Sequence, residues 1–418
     1  MSLLTRTRAI LATTLVAAAL ASVAVLSKEA PSAKPEDVGL STERLARMDK
    51  FIHGYVDAGR TPGVVTLIAR HGKVVHVDAY GKADLASGRA TRADDIFRMY
   101  SMTKPITSVA LLSLYEEGRF QLTDPLSKYF PAFAGIKVMT GTSPSGGMLL
   151  DSPRRPITVQ DIFRHTAGFS YGFGGSPVDK MYQDANVFAT DLDGLVAKVV
   201  KMPLLYQPGE RWVYSVAHDV QAALVEKLSG QKFDQFVQQR VFTPLGMRDS
   251  VFKIPADKKS RVPGLYSMDK GKLVADTSPL GSGYGDQVFG GFSISTTASD
   301  YALFAQMLLN KGQLNGVRLL SPKTVELMAT NHLPPPALAS GPSPGTGYGL
   351  GVSVLMNPAE RGNVGSAGEF GWSGAASTHV LIDPKEDLVA IYCTQLLGGD
   401  FSIRAEFATL LYQSIVGN

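Results

Sequence analysis

The chain has a single cysteine, Cys393, among its 418 residues. An internal disulfide is therefore excluded, and the apolar run Leu388-Val389-Ala390-Ile391-Tyr392 before it implies a buried, inert thiol. No cysteine follows the apolar N-terminal stretch, so nothing there can carry a lipid anchor. Histidine is scarce as well. The 7 present are dispersed without ligand spacing, which argues against metal catalysis, and no motif calls for a cofactor. Charge of one sign is not concentrated anywhere: 41 Lys and Arg stand against 37 Asp and Glu, and the basic residues are scattered, so nucleic-acid binding has no support. Only one long apolar run stands out, and it is at the N-terminus.

That run, Ala9 to Leu26, follows Arg6 and Arg8, contains no acidic residue and offers Ala19-Leu20-Ala21 as a small-x-small cleavage site. It is short for a membrane span and is interrupted by Thr13, Thr14 and Ser22. Residues 1–26 are therefore read as a secretory signal, with the periplasm or the exterior as destination. A leader left uncleaved would instead anchor the protein, and no other membrane partner is expected. Residues 27–37 form a polar, proline-containing linker.

What remains is ordinary globular material, 44% hydrophobic and 19% charged, with ample apolar residues for a large core. Ser41 opens a helix whose apolar face carries Leu45, Met48, Phe51, Ile52 and Tyr55. Gly63 to Arg70 and Lys73 to Tyr80 are β-rich runs joined at His71-Gly72, the pattern of a hairpin. Gly81 to Asp94 reads as loop. Helices are expected at Thr158–His165, Val216–Leu228, Phe233–Val241, Ala298–Asn310 and Pro322–Met328, capped in part by Thr158, Ser299 and Ser321. The stretch from Thr140 to Pro156 reads as a surface insertion. Strands return at Gly347–Leu355, Glu369–Trp372, Thr378–Ile382 and Leu388–Thr394, and a helix over Ser402–Ile415 closes the chain. Strands at both ends around a helical middle imply a discontinuous α/β (α+β) domain, residues 38–106 and 336–418, with a mostly helical domain, 107–335, inserted. A hairpin without an intervening helix makes the sheet antiparallel. The cleft between the domains is the natural active site.

Ser101-Met102-Thr103-Lys104 heads a long apolar helix. Residues three apart share a helix face, so the Lys104 amine lies beside the Ser101 hydroxyl and can take its proton. Ser-x-x-Lys is a known pattern of acyl-transfer enzymes. Ser229…Lys232, Ser250…Lys253 and Ser267…Lys270 repeat the spacing but lie in polar, turn-like segments. Ahead of Ser101, residues 95–100 read as extended, which would place the serine in the helix's first turn, where free N–H groups favour an oxyanion. Tyr214, in the loop before the Val216 helix, can present its phenol to the same cleft as a general acid or base. Gly371-Trp372-Ser373-Gly374-Ala375 ends a strand with small residues that let substrate approach the backbone, and the Ala375 N–H can complete an oxyanion hole with that of Ser101.

Taken together and in this order, the three segments resemble the serine β-lactamase and penicillin-binding-protein superfamily, and most closely its family VIII carboxylesterases, which are similar to class C β-lactamases. Phe163-Arg164-His165-Thr166-Ala167-Gly168, Gln207-Pro208-Gly209 and Leu319-Leu320-Ser321-Pro322 match the wider family. The resemblance covers about residues 36–418. It implies a β-lactamase-like fold, with an antiparallel sheet flanked by the N- and C-terminal helices. It also implies Ser101 as nucleophile, Lys104 and Tyr214 as base and proton relay, and the N–H groups of Ser101 and Ala375 as oxyanion hole. Trp372, Ser373 and Gly374 become substrate-binding, and an acyl-enzyme is hydrolysed by water.

Two departures from the family pattern matter. Val216 stands where Tyr-x-Asn has its amide, and Trp372 where Lys-Thr-Gly has its cation. An indole cannot hold a carboxylate but suits neutral, apolar groups. The reading is thus a serine hydrolase of small-molecule carboxylic esters, with β-lactam hydrolysis a weak side activity. The alternatives are an amide hydrolase of the same fold (β-lactamase, D-aminopeptidase or oligomer hydrolase) and a non-catalytic binding member. Gly168-Phe169-Ser170-Tyr171-Gly172 also fits the Gly-x-Ser-x-Gly elbow of α/β-hydrolases, with His218, His332 or His379 as partner, but a helix rather than a strand precedes it. His165, at a helix end, is expected to cap or hydrogen-bond.

Overall fold

The computed structural model describes residues 32–278, 287–399 and 402–417. The leader read from residues 1–26, and the linker up to residue 31, lie outside the described residues. No described helix is long and apolar enough to cross a membrane.

The frame is an eight-stranded sheet in which every neighbouring pair is antiparallel. From one edge its strands are Thr346–Tyr348, Ser353–Leu355, Phe370–Ser373, His379–Asp383, Leu388–Cys393, Gly63–Arg70, Lys73–Asp84 and Arg89–Ala90. The fifth and sixth strands come from opposite ends of the chain: Val65 lies opposite Cys393 and Arg70 opposite Leu388. The tight connection at His71-Gly72 has positive φ at both residues, 52° and 70°. This is the backbone of a two-residue hairpin whose twist matches the strands.

Side chains alternate across the sheet, and both faces are covered, which is why Gly63–Arg70 is buried along its whole length. Val64, Ile68, Leu381, Leu388, Ala390 and Tyr392 face the terminal helices Thr42–Asp57 and Ile403–Tyr412. Val65, Leu67, Val389, Ile391 and Cys393 face the other way. They pack in one continuous core with Ile106, Val109, Ala110 and Leu111 of the helix Thr103–Glu116. That core runs on into the helical region, including the helix Ala217–Ser229. Truncating Ile106, fully buried there, to alanine would cost about 2–5 kcal/mol.

The structure departs from the sequence reading in several places. Phe51 is exposed, while Leu45, Met48, Ile52 and Tyr55 form the buried face. The strand Lys73–Asp84 runs past Tyr80, and Arg89–Ala90 adds a further short strand inside the expected loop. Gly347–Leu355 is not one strand, because Gly351 (φ 89°) helps turn the chain into a hairpin of Thr346–Tyr348 and Ser353–Leu355. The cap of the helix Ala298–Leu309 is Thr297, which accepts the Asp300 N–H, and not Ser299. Residues 238–242 continue the Phe233 helix with π-type bonding. The stretch from Thr140 to Pro156 contains an exposed hairpin of Val138–Thr142 and Met148–Asp151.

Candidate active site

The strand Phe97–Arg98 delivers the chain to Tyr100, which has φ 45°. A non-glycine residue in that region carries about 1–3 kcal/mol of strain. Here it is held because the Tyr100 ring is buried with Leu265, Ala376 and Leu397. The turn Tyr100–Met102 is 3₁₀, and the α-helix begins only at Thr103. Ser101 therefore sits on the turn ahead of the helix rather than in its first α-helical turn. Its side chain reaches the cleft, while Lys104 is fully buried. The Lys104 amine donates to Ser101 Oγ at 3.1 Å and to the Gly291 carbonyl at 2.9 Å. Aromatic rings line it as well: Nζ lies 4.5 Å from the Tyr214 ring centre and 5.4 Å from that of Tyr171. Ring faces would attract the cation that forms when this amine takes a proton.

Tyr214 is placed by His165. The imidazole Nδ1 accepts the Ser215 N–H at 3.3 Å, and the His165 carbonyl accepts the Val213 N–H at 2.9 Å. His165 itself has φ 56°, just beyond the helix Val159–Phe163; of the two expected roles it hydrogen-bonds the Tyr214 loop, while Arg164 is the helix C-cap. Burial pushes its imidazole well below the ordinary range, so the ring is neutral and packs on Tyr214 at 4.8 Å. On the other side the Trp372 indole N–H donates to the Tyr214 hydroxyl at 3.3 Å. Trp372 was expected only as an apolar wall. Because indole is solely a donor, this bond also fixes the phenol oxygen as an acceptor and leaves its proton for another partner.

The third segment closes the site. The strand Phe370–Ser373 ends at Gly374, where a Cβ would lie 2.3 Å from the Met99 carbonyl oxygen and 2.2 Å from Thr378 Oγ1. Only glycine allows this approach, which draws Ala375 up to the Tyr100–Ser101 turn. Ala375 packs on the small cluster that holds Tyr100, and it lines the same cleft as Ser101, Tyr214 and Trp372. The cleft measures about 710 Å³. Ser373 is committed to His379, with Oγ 2.9 Å from Nδ1. Burial, reinforced by Arg404 and Arg361, holds that imidazole well below its usual range and therefore neutral. Arg404 reaches the same wall and donates to the Gly374 carbonyl at 3.2 Å.

Ser170 does not join this group. It is buried, donates to Asp179 Oδ1 and accepts the Gly172 N–H, which makes it the pin of a loop. His218 lies in the helix Ala217–Ser229 against Ser108, and His332 bridges Gln160 and the Leu327 carbonyl, so neither serves Ser170. Sequence reading missed Asp219 and the Gly290-Gly291 pair. The Gly291 N–H donates to Asp219 Oδ1 at 2.8 Å, and its carbonyl holds Lys104. A doubled glycine, and an acid soon after the Tyr-Ser pair, were the available signals. Among the described residues no cluster of acidic, His or Cys side chains could hold a metal.

The β-lactamase family profile matches residues 48–413. Protein Rv1367c of Mycobacterium tuberculosis is 34% identical over 351 residues, covering 81% of this chain and 87% of that protein. A lovastatin esterase of Penicillium rubens is 30% identical over 377 residues, covering 83% and 92%. The solved structure of simvastatin synthase LovD from Aspergillus terreus matches with a TM-score of 0.78 at 23% identity, covering 89% of this chain and 98% of that one. At that identity the likeness is one of fold. With the fold and the profile in agreement, the chain belongs to the β-lactamase family and is a serine hydrolase akin to its esterase-named members.

Proposed function

We propose that the protein hydrolyses neutral carboxylic esters through an acyl-enzyme on Ser101. Lys104 takes the Ser101 proton as Oγ attacks the ester carbonyl, and the N–H groups of Ser101 and Ala375 receive the oxyanion. Collapse breaks the carbonyl–alkoxy bond, and the departing alcohol takes a proton relayed from Lys104 through Tyr214. Water then attacks the acyl-enzyme, giving its proton to the same relay; the bond from Ser101 Oγ to the acyl carbon breaks, the relay returns the proton to Oγ, and the acid leaves. The observation that carries this reading is the 3.1 Å Lys104–Ser101 hydrogen bond. Trp372 in place of a lysine gives the substrate side an aromatic surface. The esterase name of the Penicillium relative is in keeping with it.

Arg404 favours a second reading. It places a cation on the cleft wall beside Gly374, where the carboxylate of a β-lactam or peptide would find a partner. Rates on p-nitrophenyl butyrate and on a chromogenic cephalosporin separate the two. The ester reading expects kcat/KM to favour the butyrate clearly, and a preference for the cephalosporin would transfer the role of specificity from Trp372 to Arg404.

A further inference from the structure

Resting on the proposed acyl-enzyme chemistry, we propose that Asp219 is a positioning residue of a Ser–Lys–Asp relay. Its buried carboxylate holds Lys104 through the backbone of Gly291 and steadies the ammonium formed when Ser101 gives up its proton. In catalytic triads a base is oriented by a third group that remains ionised throughout. Asp219 stands in that relation to Lys104, with one residue interposed: Gly291 gives its N–H to Asp219 and its carbonyl to Lys104.

The connection is tightly built. Asp219 lies in the first turn of the helix Ala217–Ser229, where the helix N-terminus favours negative charge. It is fully buried; Oδ1 takes the Gly291 N–H, and Oδ2 has no hydrogen-bond partner. Lys104 directs one bond at Ser101 and another at the Gly291 carbonyl. The Gly290-Gly291 segment is wedged between two helices. A Cβ at Gly290 would lie 2.3 Å from the His218 carbonyl oxygen and 3.0 Å from Thr107 Cγ2. A Cβ at Gly291 would lie 2.9 Å from both Asp219 Oδ1 and the Tyr171 hydroxyl. Thr107 adds an uncharged clamp by donating to the Gly290 carbonyl at 2.7 Å. An unpartnered carboxylate oxygen in a fully buried site is costly to retain if Asp219 only ties down a loop, since one acceptor suffices for that. A nearby amine that becomes charged during the reaction gives the second oxygen a purpose.

The titratable groups around the Asp219–Lys104 pair are the neutral imidazoles of His165 and His218 and the phenols of Tyr171 and Tyr214. Burial, offset in part by Lys104, raises the Asp219 carboxyl to about 7. In the relay the proton passes from Ser101 Oγ to Lys104 Nζ while Asp219 stays ionised. Its contribution is therefore present above that pH and lost below it.

The test compares wild type, Asp219→Asn and Thr107→Val on p-nitrophenyl butyrate from about pH 5.5 to about pH 9. The asparagine keeps an acceptor for Gly291 and removes the charge. Asp219→Asn is expected to lower kcat by roughly ten- to a hundredfold at the alkaline end with KM little changed, and to approach wild type at the acid end. Thr107→Val loosens the same loop without altering charge, so its loss should be equal at every pH. An Asp219→Asn profile that overlays wild type, or parallels Thr107→Val, overturns the relay. Should Asp219→Asn not fold, fluorophosphonate labelling of Ser101 in wild type must accelerate through pH 7, and a flat rate overturns it too. Wild type that turns over no ester and takes no phosphonate would instead refute the esterase reading.

Discussion

Gly374→Ala probes how the site is assembled without touching any group that handles a proton. The added Cβ would stand 2.3 Å from the Met99 carbonyl oxygen and 2.2 Å from Thr378 Oγ1. The Thr378 hydroxyl can rotate away, but the Met99 carbonyl is backbone. A comfortable C···O approach begins at roughly 3.3 Å, so one strand end must yield by about 1 Å. Met99 leads directly into the strained Tyr100 and Ser101, so the displacement separates Ser101 from Ala375. A misplacement of about 1 Å at reacting groups costs on the order of a hundredfold, or about 2.7 kcal/mol of transition-state stabilisation. Gly54→Ala is the control, since a Cβ there meets nothing within 4 Å. The assay is kcat/KM on p-nitrophenyl butyrate, with circular dichroism to verify folding. Gly374→Ala should fall about a hundredfold while Gly54→Ala is unchanged. A folded Gly374→Ala enzyme within threefold of wild type would refute the argument that this close approach sets the oxyanion pocket.

Three further outcomes are expected. Lys104→Ala should lose at least ~10² in kcat, the scale of a missing general base, and a loss below tenfold would remove Lys104 from the proposed chemistry. Trp372→Phe keeps the aromatic wall but deletes the donor to Tyr214; kcat should drop by up to about tenfold, the worth of one hydrogen bond, and an unchanged kcat would make the indole N–H incidental. His218 is buried and neutral, held well below its ordinary value of 6.5 first by burial and then by His165 and Lys104. Its contribution to stability is complete above pH 6.5 and is lost as pH falls, because the unfolded chain binds the proton more readily. Urea unfolding should therefore show wild type losing stability relative to His218→Gln below that pH, by up to about 1.4 kcal/mol per pH unit. Parallel curves would contradict the assignment.

What could be read from the chain alone was what short-range chemistry encodes. His71-Gly72 announces a hairpin because two adjacent residues must both accept positive φ. Ser101 and Lys104 could be paired because their spacing alone puts them on one helix face. The continuous apolar run Leu388–Cys393 marked a strand, but its burial on both faces depends on the terminal helices on one side and the helix Thr103–Glu116 on the other. Thr297 and Ser299 both offer a hydroxyl near the start of the helix, and local sequence does not rank them; the Asp300 N–H, which Thr297 accepts, does. The helices Pro177–Ala185 and Leu192–Val199 escaped notice because they are short, although Ser176 and Asp191 cap them well. Asp219 escaped for a different reason. Its partner Gly291 lies 72 positions away, and no periodicity connects a buried acid to a glycine peptide across two helices.

The most direct test is to treat the wild-type protein with a fluorophosphonate and locate the adduct by mass spectrometry. A single adduct on Ser101, abolished in Lys104→Ala, is the expected result. An adduct on Ser170, or none on an enzyme that still cleaves esters, would contradict the convergence of Ser101, Lys104, Tyr214 and Ala375 on one reacting carbonyl.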